Sequence, residues 1–209
     1  MTPERSSGLI LRVRPLTDTS LIVHWLCAET GRIGTVAKGA RTPKSAFAGK
    51  LDTGFEAGFG FQRSPRSDLH PLREVVVHSM NTGLREDYGR LIQWAYGVAL
   101  LEALTETETP LPEVYEVFLE FLHHLAVSPA QPRTVYALEL RLLAVLGLEP
   151  DAGSAEESLV RELVDLPWDR LAALQPSAVA VRRLNALLQR AVVMQAGRLP
   201  RGRAEALKG

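Results

Sequence analysis

Gly54-Phe55-Glu56-Ala57-Gly58-Phe59-Gly60-Phe61-Gln62 is the stretch on which the fold turns. Phe55, Ala57, Phe59 and Phe61 share one parity and Gly54, Glu56, Gly58, Gly60 and Gln62 the other, so a strand through these residues buries an aromatic face. Three glycines stand on the opposite side. Lacking side chains, they favour strong curvature or close backbone approach, as at a barrel corner.

The surrounding residues supply the partners. Gly8 to Arg14 alternates, with Leu9, Leu11 and Val13 on one face and Arg12 and Arg14 beside Ile10 on the other, and it stops at Pro15. The polar turn Thr17-Asp18-Thr19-Ser20 leads into Leu21–Cys27, a run apolar on nearly both faces and therefore a more buried strand. Glu29-Thr30-Gly31-Arg32 reads as a tight hairpin turn, with Gly31 available for positive φ, and Ile33 to Ala37 as the returning strand. Beyond Gln62 a polar loop carries Arg63 and Arg66, and Leu72 to His78 forms a fifth strand. Five short antiparallel strands in about 80 residues, joined by basic loops, fit an OB-type β-barrel.

Between the third strand and the phenylalanine stripe lies Lys38-Gly39-Ala40-Arg41-Thr42-Pro43-Lys44-Ser45. Fixed cations, a flexible glycine and a proline that prevents helix make a loop suited to a phosphate chain. The same composition also suits a solvated basic surface loop without a ligand. Phe47, three residues past Lys44 and off any apolar stripe, is either a base-stacking ring or an anchor for the loop. The phenylalanine stripe could also stack bases, but its strict alternation against a glycine-rich face reads as core in preference.

From Asn81 the apolar period changes from two to 3.6. A first helix is expected from Asn81 or Thr82 as cap, with Leu84, Tyr88, Leu91, Ile92, Ala95 and Ala99 as its stripe. A second starts near Pro112 and buries Val114, Val117, Phe118, Phe121, Leu122 and Leu125. Thr134 to Leu146 is apolar nearly all round and reads as the centre of a bundle, interrupted by Glu139 and Arg141 as partners for neighbours or toward solvent at its edge. Ser154-Ala155-Glu156-Glu157 is a capping box for a short helix to Asp165. Trp168, Leu171 and Leu174 suggest a further turn, and Ser177 opens a long helix to Ala196. Arg198, Arg201, Arg203 and Lys208 form a basic tail, read as a solvated terminus in preference to a DNA contact. The fold class is therefore α+β, with a five-stranded OB-type barrel over residues 1–80 and an all-α domain over 81–209.

Composition narrows the chemistry. The single cysteine, Cys27, excludes an intramolecular disulfide and any site of several thiolates. A nucleophilic role would need a base, but His24 stands three positions away on a strand and so faces the opposite side; a buried, inert thiol is the better reading. His123 and His124 are adjacent on a helix, point in different directions and have no further ligand at metal spacing. No phosphate-binding Gly-x-x-x-x-Gly-Lys, paired-carboxylate motif or nucleophile with a placed base occurs, so neither catalysis nor a cofactor is expected. The formal net charge is zero. Residues 1–80 nevertheless carry eleven Lys and Arg against seven Asp and Glu, while residues 81–150 carry four against ten. That asymmetry suggests separate surfaces for separate partners. Apolar runs are too short to cross a bilayer and no signal-peptide core opens the chain, so a cytoplasmic location is expected.

The order of elements resembles the bacterial DNA repair protein RecO family of recombination mediators. Gly8-Leu9-Ile10-Leu11-Arg12, Asp18 to Val23 and the turn at Gly31 carry the likeness. So do Lys38-Gly39-Ala40-Arg41 with Pro43-Lys44-Ser45, and Asp68-Leu69-His70-Pro71-Leu72-Arg73-Glu74. The helical part adds Leu138-Glu139-Leu140-Arg141-Leu142-Leu143 and Leu146-Gly147-Leu148-Glu149-Pro150. Many members carry a four-cysteine zinc cluster after the Gly-x-x-Pro that here is Gly147 to Pro150, whereas residues 151–176 contain no cysteine. The resemblance implies binding of single- and double-stranded DNA, annealing of complementary strands, and help to RecA in loading with RecR onto DNA coated by single-strand-binding protein, whose tail is a further partner. It implies a nucleoid-associated protein and a DNA surface of Arg12, Arg14, Lys38, Arg41, Lys44, Arg63 and Arg66, to which the residue-level reading adds Phe47 as the candidate stacking ring. The alternative is an OB-fold protein-interaction adaptor without intrinsic DNA binding, and an enzyme of another type would need a polar cleft that the sequence does not assemble.

Overall fold

The computed structural model describes residues 3–208, apart from the side chains of Ser154 and Ala155. The five strands are β1 (Glu4–Pro15), β2 (Leu21–Cys27), β3 (Gly31–Ala37), β4 (Glu56–Phe61) and β5 (Leu69–Ser79). They close into a barrel in the order β1-β2-β3-β5-β4. Every pairing is antiparallel except that of β3 with β5, where Gly34, Thr35 and Val36 meet Leu69, His70 and Pro71 in parallel. This is OB topology.

The aromatic stripe fills the barrel. Phe55, Ala57, Phe59 and Phe61 lie in one cluster with Val23, Trp25, Cys27, Ile33, Leu72 and Val75. Phe59 stacks on Trp25 with ring centroids 4.0 Å apart, and the indole Nε1 donates to the buried Thr35 Oγ1 at 2.9 Å. The glycines opposite are closely covered. A Cβ at Gly60 would come within 2.9 Å of the Glu74 side chain, and one at Gly58 within 3.2 Å of His78.

The β1 pattern differs from its expected alternation. Gly8, Leu9, Ile10 and Leu11 are all buried, and Ile10, expected outside with the arginines, lies in the barrel cluster. The cause is a register shift against β2, where Ile10 pairs with Trp25 but Arg12 with His24. One extra residue reverses the parity of the rest of the strand, so Val13 packs on the core and Arg12 and Arg14 stay outside.

Residue contacts divide the chain into two compact units: Met1–Asn81 with Glu106–Glu116, and Thr82–Thr105 with Val117–Gly209. The segment that counts with the barrel bridges in parallel to β3 through Arg32 and Thr107, and the Glu108 N–H donates to the Arg32 carbonyl at 2.8 Å. Gly31, at φ 67°, faces this segment so closely that a Cβ would lie 2.0 Å from the Thr109 carbonyl oxygen.

The helices are α1 (Tyr88–Leu104), α2 (Pro112–Val127), α3 (Pro132–Val145), α4 (Gly153–Asp165), α5 (Ala178–Ala196) and α6 (Arg203–Ala206). A 3-10 turn takes Thr82–Arg85, and α1 begins later than expected, with Asp87 accepting from the Arg90 N–H as its cap. Its buried face is Gln93, Trp94, Tyr96, Gly97, Val98, Leu100 and Leu101, while Tyr88 and Ala95 are exposed. The helix is apolar on most sides, so periodicity alone does not select the face. Polar anchors decide it: Gln93, fully buried, donates to the carbonyls of Gln131 and Ala206 at 2.8 and 3.0 Å.

On α3, Glu139 and Arg141 are partners for neighbours and do not face solvent. Glu139 is fully buried. It receives the Arg203 guanidinium at 2.7 and 2.9 Å and the Tyr96 hydroxyl. Arg203, expected in a solvated tail, is 6% exposed and also holds Asn185 Oδ1 at 2.8 Å. Burial disfavours the charge on Arg203, but the bonds to Glu139 outweigh this and push its pKa up.

Residues 151–176 form α4 and a 3-10 turn, Trp168–Ala173, held from α3 by two arginines. The Arg141 Nε donates to the Leu163 carbonyl at 3.1 Å and a second nitrogen to that of Leu166. Its guanidinium lies 4.2 Å from the centre of the Trp168 ring. Arg133 Nη1 reaches the carbonyls of Leu171, Ala172 and Leu174 at 3.0, 2.7 and 2.7 Å. These bonds cap carbonyls at the ends of α4 and the 3-10 turn, of which that of Leu171 also accepts from the Leu174 N–H at 3.1 Å. α4 begins at Gly153, one residue before the expected cap Ser154, whose side chain lies outside the described residues.

Candidate nucleic-acid interface

Strand directions sort the loops. β1, β3 and β5 run one way and β2 and β4 the other. The turn after β1 and the long loop 38–55 therefore share one end of the barrel, and the turn 28–30 and loop 62–68 share the other.

Loop 38–55 is a chain of tight turns. Backbone bonds run from Ala40 to Ala37, Thr42 to Gly39, Ser45 to Thr42, Ala48 to Ser45 and Lys50 to Phe47. Gly39, at φ 69°, supplies the left-handed residue that one of these turns needs. Two anchors tie the loop to its neighbours. The Arg41 N–H donates to the Thr19 carbonyl at 3.0 Å and the Arg41 guanidinium to that of Thr17 at 2.9 Å. Thr53 Oγ1 donates to the Leu11 carbonyl at 2.9 Å, beside the β1 register shift. Phe47, half-buried, packs on the barrel cluster together with Ala40 and Leu51.

This arrangement leaves charge in solvent. Lys38, Arg41 and Lys44 are exposed, as is Lys50, which lies in the same loop but outside the set expected from sequence. No described acceptor or carboxylate meets the ammonium groups of Lys38, Lys44 and Lys50, and Arg41 meets only a carbonyl. The same holds for Arg14, exposed on β1 at this end. Arg66, at the other end, is exposed too, with no described partner for its side chain. Other arginines of the barrel are committed: Arg5 to Glu74 at 3.1 Å, and Arg63 to Glu4 at 3.1 Å and to Glu108. The bond to Glu4, ahead of that to Glu108, pushes the Arg63 pKa up. Glu108 also takes His70 Nε2 at 3.0 Å, while His70 Nδ1 accepts from the Ser64 N–H. The seven basic side chains expected on one DNA surface are thus spread over both ends of the barrel and the face of β1, and Arg63 is held by two carboxylates.

Between these ends runs the outer face of β1, β2 and β3. Leu21, Val23, Trp25 and Cys27 point inward, which leaves Ile22 and His24 outside, paired with Arg14 and Arg12 on β1 and with Val36 and Gly34 on β3. The apolar composition of β2 implies burial on both faces and so hides His24 and Ile22. The parity of Trp25 against His24 is the one local signal that separates them.

The chain that carries these cations has counterparts among known proteins. The family model "Recombination protein O N terminal" matches residues 1–80 and "Recombination protein O C terminal" matches residues 85–158. Together they account for most of the chain. It belongs to the RecO family. Similar relatives include the DNA repair protein RecO of Bacillus pumilus, 30% identical over 148 residues, and that of Salinibacter ruber, 31% identical over 147. In both cases 70% of this chain is aligned, with 57% and 56% of the relative. The RecO of Anaeromyxobacter dehalogenans is 29% identical over 150 residues, which are 72% of this chain and 59% of that protein. The chain thus spans less than two thirds of the length of the relatives it matches. The RecO family is one of DNA repair and recombination, and no described helix is long and apolar enough to cross a membrane.

Proposed function

We propose that this chain binds single- and double-stranded DNA through one end of its barrel and acts, without covalent catalysis, as a recombination mediator. In that role it anneals complementary strands and helps RecA load with RecR onto DNA coated by single-strand-binding protein, in the cytoplasm and on the nucleoid. The observation that carries the reading is the group Lys38, Arg41 and Lys44 beside Arg14, cations without carboxylate partners on a loop pinned to a rigid barrel. A phosphate chain is the ligand that such unpaired, fixed charge attracts. Arg12 on the adjoining face and Arg66 at the far end would extend the contact. Arg63, already held by two carboxylates, would contribute little. Phe47 would offer a base only the part of its ring that the core leaves open. The acidic residues 81–150 support a role for the helical part in receiving proteins, the single-strand-binding tail among them, because a negative field repels phosphate.

The test is a titration of labelled oligonucleotide at several salt concentrations. Replacing Lys38, Arg41 and Lys44 together by Ala is expected to weaken binding and flatten the plot of log affinity against log salt by about two units, at roughly 0.7 per lost single-strand phosphate contact. Unchanged binding by a folded triple variant would overturn the proposal.

A further inference from the structure

The aromatic residues of this chain are placed in a way that separates two modes of DNA binding. Binders of single strands that use this barrel commonly stack successive bases on exposed aromatic rings. Here the rings of the barrel face inward: Trp25, Phe55, Phe59 and Phe61 are all in the core, at 0–7% exposure. Among the described residues, the outer face of β1, β2 and β3 presents Arg12, Arg14, Ile22, His24 and Val36, with Gly34 at its centre, and no Phe, Trp or Tyr. The neighbouring basic loop contributes one ring, Phe47, half-buried against the core. Tyr115, the remaining barrel-unit aromatic, is half-buried at a separate groove lined by Ser7, Gly58 and His78.

We infer that the barrel holds DNA by its phosphodiester backbone and leaves the bases in solvent. This rests on the DNA-binding reading above and specifies which part of the nucleic acid is recognised. The cations that meet no carboxylate supply attraction for phosphate, and nothing on the face supplies a run of stacking platforms. The chemistry has two consequences. Affinity is insensitive to base identity, and single-stranded and duplex DNA compete for the same surface, because both present the same charged backbone. A strand held this way keeps its Watson–Crick edges free to meet a complement.

The experiment compares three labelled oligomers of equal length with the full chain at one salt concentration. They are oligo-dT, a chain of abasic tetrahydrofuran phosphodiesters, and oligo-dT with a neutral methylphosphonate backbone. The abasic chain is expected to bind within about twofold of oligo-dT with the same salt slope, and the methylphosphonate chain to bind at least tenfold more weakly. Each stacked base would otherwise multiply affinity by about tenfold. A loss of tenfold or more on removing the bases, with oligo-dT still bound, overturns the inference and leaves DNA binding standing. Failure of all three to bind overturns the DNA-binding reading and this inference with it.

Discussion

Replacing Arg203 by Ala tests the helical unit where structure and chain position disagree most. A residue so near the end of the chain would ordinarily be replaced at a cost within about 0.5 kcal/mol. In this structure the guanidinium makes two bonds to Glu139, at 2.7 and 2.9 Å, and one to Asn185 at 2.8 Å. Removing it leaves a carboxylate of zero exposure with the Tyr96 hydroxyl as its one remaining partner among the described residues. Breaking a buried pair from one side costs about 3–5 kcal/mol, mostly because the remaining charge is uncompensated. At about 2–4 °C per kcal/mol for a chain of this size, the melting temperature should fall by about 10 °C. Circular dichroism melts and urea titrations followed by Trp94 and Trp168 fluorescence would measure it. The companion variant Glu139→Gln/Arg203→Met removes both charges and should recover much of the loss, since no buried ion is then unpaired. Burial and the Glu139 charge push the Tyr96 hydroxyl pKa up, so that phenol remains a donor throughout the accessible range. A cost below about 1 kcal/mol for Arg203→Ala would refute the reasoning and return Arg203 to a solvated tail.

Further outcomes are open to measurement. Arg141→Leu should destabilise the helical unit by about 2–4 kcal/mol in denaturant titrations, because it frees the carbonyls of Leu163 and Leu166 and removes the cation over Trp168, while EDTA should leave the melting temperature of the unaltered chain unchanged. His124, whose pKa is lowered first by burial and then by Arg141, binds its proton more weakly folded than unfolded. Its contribution to stability is therefore intact above the ordinary imidazole value of 6.5 and is lost as pH falls from there through the folded value; His124→Phe should flatten this part of the stability curve, and an unaltered curve would count against the assignment. Gly31→Ala should cost at least about 2 kcal/mol by thermal melting, since the new Cβ meets the Thr109 carbonyl at 2.0 Å and φ is positive; Gly39→Ala, with nothing within 4 Å, should cost only about 1 kcal/mol.

Much of the barrel is legible in the sequence because strand burial has a period of two and is written locally. The Phe55–Phe61 alternation, the glycines opposite it and the turn at Gly31 each state their structural role within a few residues. The basic loop is legible as composition: three cations, a glycine and a proline cannot be core. Helix positions are legible for α3 and α5, where Gly147 and Gly197 terminate the runs in left-handed conformation. The α1 stripe is not, since a helix apolar on most sides offers several faces and only Gln93, through carbonyls far along the chain, selects one.

What the sequence by itself determined, then, is the class of each segment and the charge carried by each loop, because both depend on neighbours within one or two turns of chain. Only the tertiary structure decided which charges are spent internally. Arg63 and Lys38 look alike in sequence, yet one meets Glu4 and Glu108 and the other meets no described carboxylate. Arg203 and Arg201 stand two residues apart in one basic run, yet one is buried on Glu139 and the other is exposed. The register shift at Ile10 belongs with these, since an extra residue in β1 is defined only against β2. The physical reason is common to all three: an ion pair, a buried carboxylate or a strand register is a property of two segments. Their meeting depends on chain closure over tens to more than a hundred residues, which local pattern does not encode.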